Sequence, residues 1–134
     1  TGTGKSYLAC ALGNCACLEG KKVLYIRLPD LITDLNLGKE QGNYKKILKK
    51  YEKADLLIID EWLLIPANDM VQQYILEIME RRYRSKGTIF CSQFFSDSWH
   101  KRLGGGALAD AILDRVVSKS TTISIQGNQS MRTR

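Results

Sequence analysis

An α/β fold, a three-layer sandwich built on a mostly parallel sheet, is predicted by three features of this sequence. Short β-rich apolar runs alternate with longer stretches of helical periodicity. The runs are nearly continuous rather than alternating, so both of their faces should be covered, as in a parallel sheet. At 134 residues, 44% of them apolar, the chain is sized for one domain with one core.

The elements follow in order. Residues 6–19 continue from two glycines as a helix, and 22–27 (KVLYIR) form the first strand. A lysine-rich helix is expected over 44–53, followed by the strand 56–60 (LLIID). Over 68–85 the helical spacing sets Val71, Ile75, Ile78, Met79 and Arg82 on one side, with a Glu77–Arg81 pair outside. A strand at 88–92 (TIFCS), a helix near 107–118 and a strand at 121–126 (TTISIQ) complete the pattern. Repeats, low-complexity segments and internal linkers are not expected.

Composition removes several classes of function. Two prolines and 11 glycines argue against a disordered or collagen-like chain. His100 is the one histidine, which leaves no His-based zinc cluster and no mechanism needing two. The four cysteines, at positions 10, 15, 17 and 91, have poor zinc spacing, so they are expected as small buried residues in a reducing cytoplasm. No apolar run approaches the roughly 18 residues that span a bilayer, so no membrane partner is expected. The opening TGTGKS lacks the ramp of a signal peptide.

Charge is unevenly placed. The net charge of +6 hides an acidic block, 55–80, with six acids and no base. Residues 39–54 carry a net +4 and 81–134 a net +7. A lysine helix is either a solvated face or a nucleic-acid surface, and composition by itself favours the former.

Two motifs carry chemistry. Thr1 to Ser6 read as the end of a phosphate-binding loop, G-x-x-x-x-G-K-[ST], that opens a helix. Gly2 and Gly4 let backbone N–H groups curl around phosphate oxygens, and the helix N-terminus adds partial positive charge. Lys5 would reach the β- and γ-phosphates, and the Ser6 hydroxyl would ligate Mg²⁺. A flexible glycine-rich lead into an ordinary helix is the alternative for this motif alone. The second motif is Leu56-Leu57-Ile58-Ile59-Asp60-Glu61. A buried strand would deliver Asp60 to the C-terminal sheet edge, where ligands of open α/β sheets bind. Asp60 would join the Mg²⁺ shell and Glu61 would polarise the attacking water. The strand 22–27 falls between the motifs, which resembles the additional-strand, catalytic-glutamate branch of P-loop ATPases.

Two later positions refine this. Gln93, after the strand 88–92, can contact the attacking water or γ-phosphate, the sensor-1 role in AAA+ ATPases; a loop-start amide with no ligand is the alternative, favoured if the upstream motifs are set aside. Arg115, near the end of a helix, is a candidate arginine finger for a neighbouring subunit's nucleotide. An Asp114–Arg115 surface pair is the alternative there.

The succession TGTGKS, LLIIDEW, SQFFSDSWHKRLGGGALADAILDRVV and a closing Gly-x-x-Ser-Met-Arg resembles the IstB-like family across essentially the whole chain. These are AAA+ ATPases that assist insertion-sequence transposases and are similar to DnaC-type helicase loaders. The resemblance implies an ATP- and Mg²⁺-binding AAA+ core over residues 1–134, oligomerisation with ATP between subunits, and assembly on DNA through the basic stretches 44–53 and 81–102. It implies nucleotide contacts from Gly2, Thr3, Gly4, Lys5, Ser6, Tyr7, Asp60 and Arg132, with Ser6 and Asp60 on the metal. Catalysis would fall to Glu61, Gln93 and Arg115. The partner is a transposase or a replicative helicase, and the sequence leaves both open, as it does hydrolysis against use of ATP as a switch.

Two departures from the family carry expectations. Leu63 replaces the glycine that usually follows the aromatic residue after the acidic pair, so the turn beyond Glu61 is expected to differ. The strand before the phosphate loop is absent from this chain, so the core reads as truncated within that loop. Strands 88–92 and 121–126 are then expected to lack their shared neighbour and to leave backbone groups unpaired.

Overall fold

The structure, a computed structural model, describes the backbone of residues 3–83, 87–117 and 122–126, and the side chains of 10–83 and 87–116. Its order is α1 (Thr3–Leu18), β1 (Val23–Arg27), α2 (Leu28–Gln41), α3 (Tyr44–Lys53), β2 (Leu56–Asp60), α4 (Asp69–Arg82) and β3 (Gly87–Ser92). A 3-10 turn at Ser96–Ser98, α5 (Trp99–Arg102), α6 (Gly106–Val117) and β4 (Thr122–Gln126) follow. The strands form one parallel sheet in the order β1-β2-β3-β4.

Alternation along the strands assigns the two faces. Leu57, Ile59 and Phe90 enter the main core with buried residues of α2, α3, α4 and α6, while Ile58, Ile89 and Cys91 form a smaller cluster on the other face. That second face receives α1. A Cβ on Gly13 would sit 3.2 Å from Ile58 Cδ1 and 3.3 Å from Val23 Cγ1, so α1 lies close against the strands and a larger residue there would have to displace those side chains slightly. Helices on both faces make the expected three-layer α/β sandwich.

All four predicted strands and the four predicted helices are present. Val71 is half-buried, while Ile75, Ile78, Met79 and Arg82 are buried, and Arg81 Nε meets Glu77 Oε2 at 2.9 Å. Asn68 caps α4 by accepting from the Val71 N–H at 2.9 Å.

Three expectations change. α2 was not anticipated: it starts at the residue after β1, with a proline in its first turn. The expected gap between the last two strands is closed, since β3 and β4 pair directly, Thr88 opposite Thr122 through Ser92 opposite Gln126. Unpaired backbone inside a sheet is costly, and direct pairing gives β3 a neighbour on each side, with β4 as the edge strand. Finally, Cys10, Cys15 and Cys17 are exposed and only Cys91 is buried. Gly13 is the buried position in the described part of α1; Cys10 and Cys17 lie three and four positions from it, on the same helix face, and are exposed all the same.

Candidate nucleotide site

The C-terminal edge of a parallel sheet collects the ends of its strands, and here they carry chemistry. Arg27 stands opposite Asp60 in the β1–β2 register, and Ser92 ends β3 beside them. α1 returns to the start of β1 through a turn at Gly20. It therefore runs against the strands, and its N-terminus points to this same edge. Thr3, Gly4, Lys5, Ser6 and Tyr7 form the first turns of α1, and their side chains lie outside the described residues, as do Gly2 and Arg132. The expected roles of those seven residues stay where the sequence put them.

Asp60 is 7% exposed. One of its oxygens accepts from the Glu61 N–H at 2.8 Å, and the other takes a short hydrogen bond from the Tyr25 hydroxyl. Tyr25 was not singled out from the sequence. It shares the α1-facing side of the sheet with Asp60, and strand alternation alone was the signal for that.

Glu61 begins an unusual turn. Its φ is 55° and that of Leu63 is 59°, a left-handed backbone that costs a residue with a Cβ about 1–3 kcal/mol. Leu63 thus takes the conformation glycine adopts readily, and its 0% exposure supplies compensating burial. The Glu61 carboxylate is held by a fork. Arg27 Nε donates to Oε2 at 2.7 Å and Arg27 Nη2 to Oε1 at 3.2 Å. Arg27 also reaches Asp30 at 3.4 Å. The hydrogen bond to Glu61, then the charges of Glu61 and Asp30, push the guanidinium pKa up. Beside Glu61 lies an apolar cleft of about 240 Å³, lined by Leu28, Pro29, Ile32, Ile65, Pro66 and Val71.

Gln93 is exposed and directly follows β3. The turn after Glu61 is tied to that strand by the Trp62 N–H, which donates to the Cys91 carbonyl at 2.9 Å. Gln93 therefore leaves the sheet at the same edge as Asp60 and Glu61. Trp62, Phe90 and Trp99 pack as an aromatic cluster beneath, with ring centroids 4.5–5.8 Å apart. Arg115 is elsewhere. α6 runs down to the start of β4, so its last turn lies at the N-terminal edge of the sheet, opposite Asp60. There Arg115 meets Glu80 at 3.2 Å and Asp114 at 3.7 Å, with Tyr83 beneath its guanidinium at 5.6 Å.

Among the described residues, no group of three or more His, Cys, Asp or Glu could hold a metal. A single buried carboxylate suits Mg²⁺ carried largely by phosphates, which keeps waters and takes one or two protein oxygens. Asp60 fits that part; a resident metal would need a larger donor set.

The expected basic surface narrows. Lys45, Lys46, Lys49, Lys50 and Lys53 of α3 are exposed, although Lys50 meets Asp34 at 3.1 Å. In the stretch 81–102, the described arginines, 81, 82 and 102, are paired or turned inward; Arg84 lies outside the described residues. Arg81 bridges Glu77 and Glu52. Arg82 is 2% exposed, and Arg102 donates to the Leu63 and Leu64 carbonyls. Burial and internal bonding, which charge counts do not register, remove these three from a polyanion surface.

A parallel sheet with an acidic pair at its ligand-binding edge and a helix N-terminus aimed at it is an α/β fold suited to binding a nucleotide. The structure is similar to AMPPCP-bound DnaA from Aquifex aeolicus, with a TM-score of 0.71 at 22% identity, covering 94% of this chain and 37% of that one. The chain belongs to the IstB-like ATP binding protein family, whose pattern matches residues 1–134. It is 41% identical over 132 residues to the insertion sequence ATP-binding protein y4pL of Sinorhizobium fredii, covering 98% of this chain and 54% of that protein. It is 35% identical over 126 residues to the insertion sequence IS21 ATP-binding protein of Pseudomonas aeruginosa, covering 94% of this chain and 48% of that protein. The chain spans about half the length of these relatives. No described helix is long and apolar enough to cross a membrane.

Proposed function

We propose that residues 1–134 are the ATPase core of a protein that hydrolyses ATP while assembled on DNA and so assists an insertion-sequence transposase. The observation that carries this reading is the Asp60–Glu61 pair at the sheet edge towards which α1 points its N-terminus. The family and its insertion-sequence relatives supply the biological setting.

In this reading the backbone of Gly2 to Gly4 and the N-terminus of α1 receive the phosphates, with Lys5 on the outer ones and Arg132 closing the site. Mg²⁺, held by Ser6 and Asp60, would neutralise charge on the phosphate oxygens. Glu61 accepts a proton from the attacking water, which requires its carboxylate to leave Arg27. Gln93 orients that water. Arg115, too far round the sheet for its own nucleotide, serves the neighbouring subunit's.

Turnover by the intact protein with and without DNA tests the core of this. Glu61→Gln should bind ATP normally and lose about 100-fold or more in turnover, the scale on which general bases act. Mixing Glu61→Gln with Arg115→Ala, each inactive alone, should restore part of the activity through shared sites. Equal turnover in Glu61→Gln and wild type defeats the reading.

One observation favours a second reading, a DnaC-type loader that uses ATP mainly as a switch. The Arg27 fork occupies both oxygens of Glu61, as expected of a site that holds ATP far longer than it takes to bind. A bound-ATP lifetime that stays long on single-stranded DNA, with a helicase present, would select it.

A further inference from the structure

The turn that carries Glu61 is not self-supporting. Glu61 and Leu63 both sit at positive φ, 55° and 59°, and neither is glycine, so the turn persists only where neighbours over-determine it. One anchor is the Trp62 N–H on the Cys91 carbonyl. Another, beyond the bonds that Asp60 and Arg27 make to Glu61, is Arg102. Its Nε donates to the Leu63 carbonyl at 2.6 Å and its Nη2 to the Leu64 carbonyl at 2.7 Å. The face of the same guanidinium lies on the Phe94 ring, with Cζ 3.8 Å from the centroid. Phe94 follows Gln93. The Arg102 carbonyl in turn accepts from the Ala67 N–H at 2.8 Å, closing the far end of the same loop.

One side chain therefore grips the segment after Glu61 by its edge and the segment after Gln93 by its face. We propose that Arg102 is a positioning residue for ATP hydrolysis, holding the Glu61 turn and the Gln93 loop at a set separation across the position of the attacking water. This rests on Glu61 and Gln93 having the roles proposed above. A rigid fork with a flat stacking face meets both demands, and a lysine ammonium meets only part of one.

The test uses DNA-stimulated turnover by the intact protein, comparing wild type, Arg102→Ala, Arg102→Lys and Glu61→Gln. Arg102→Ala should lower kcat at least about tenfold with KM for ATP unchanged within about twofold, the signature of an interaction used in the transition state. Arg102→Lys should fall between, and millimolar guanidinium should restore Arg102→Ala several-fold but leave Glu61→Gln inactive. Amide exchange at Leu64, whose N–H donates to the Glu61 carbonyl at 3.2 Å, should accelerate in Arg102→Ala without any need for hydrolysis. Wild-type kcat in Arg102→Ala, or a loss that matches its unfolded fraction and ignores guanidinium, overturns the proposal. If Glu61→Gln turns over like wild type, the functional reading has failed. Unchanged Leu64 exchange in Arg102→Ala instead defeats the clamp itself.

Discussion

Glu61 has two demands on it, and Arg27 sets the balance between them. A carboxylate gripped at 2.7 and 3.2 Å by one guanidinium has both oxygens engaged and must leave that contact before it can meet the attacking water. Removing the fork should release it. Arg27→Ala is expected to raise DNA-free ATP turnover by about two- to tenfold, since a solvent-exposed ion pair competes only weakly for the carboxylate. A single-turnover assay without DNA checks this, and unchanged or lower turnover would mean that Arg27 assists Glu61 instead. At this scale the sequence announced Asp60 and Glu61 by their position after four apolar residues. It did not announce Arg27, because the side chain opposite Asp60 is known only once β1 and β2 are paired.

Elements show where local signals sufficed and where they did not. The helix α2 was legible after the fact: Leu28, Leu31 and Leu35 are buried at helical spacing, with a proline in the first turn and Gly42 as the left-handed cap. It went unread because β1 passes into it with no intervening loop. Arg82 could be placed on the buried side of α4 but not explained there. It is a cap for another helix, donating to the carbonyls of Tyr51 and Ala54, both at 2.7 Å, and to Thr88 Oγ1 at 3.1 Å. Burial pulls its pKa down to about 10. Arg82→Met should cost about 3 kcal/mol in urea unfolding, because buried carbonyls left without donors lose about 1–3 kcal/mol each. Tyr51 makes a second test within α3. Burial first, then its hydrogen bond to Asp34 at 2.6 Å, raises its pKa above the ordinary 10.0. A folded pKa above the unfolded one means stabilisation present below pH 10.0 and lost as pH rises beyond it. Melting temperature should therefore fall more steeply in wild type than in Tyr51→Phe between about pH 9 and 11; parallel curves would refute this.

Across the whole molecule, charge is sorted by the fold. The acids at Asp60 and Glu61 gather at one sheet edge, while the exposed lysines of α3 cover an outer helix face. If that face meets DNA, replacing Lys45, Lys46, Lys49 and Lys53 with glutamine should flatten the salt dependence of binding. The slope of log K against log salt should shrink by up to about 3–4, at about 0.9 per duplex phosphate neutralised. An unchanged slope in a filter or anisotropy titration would return those lysines to the role of a solvated face.

The sequence by itself determined the alternation of strands and helices, the placing of the acidic pair at a strand end and the family. Each of these is written in neighbouring residues or in a local period. Only the tertiary structure decided that β3 pairs directly with β4, that Arg82 and Arg102 serve backbone carbonyls and that Arg27 holds Glu61. It also put Arg115 at the edge opposite Asp60. The reason is physical: charge and periodicity are properties of a segment, whereas a hydrogen bond between residues 39 positions apart, such as Arg102 to Leu63, exists only after the strands have found their register.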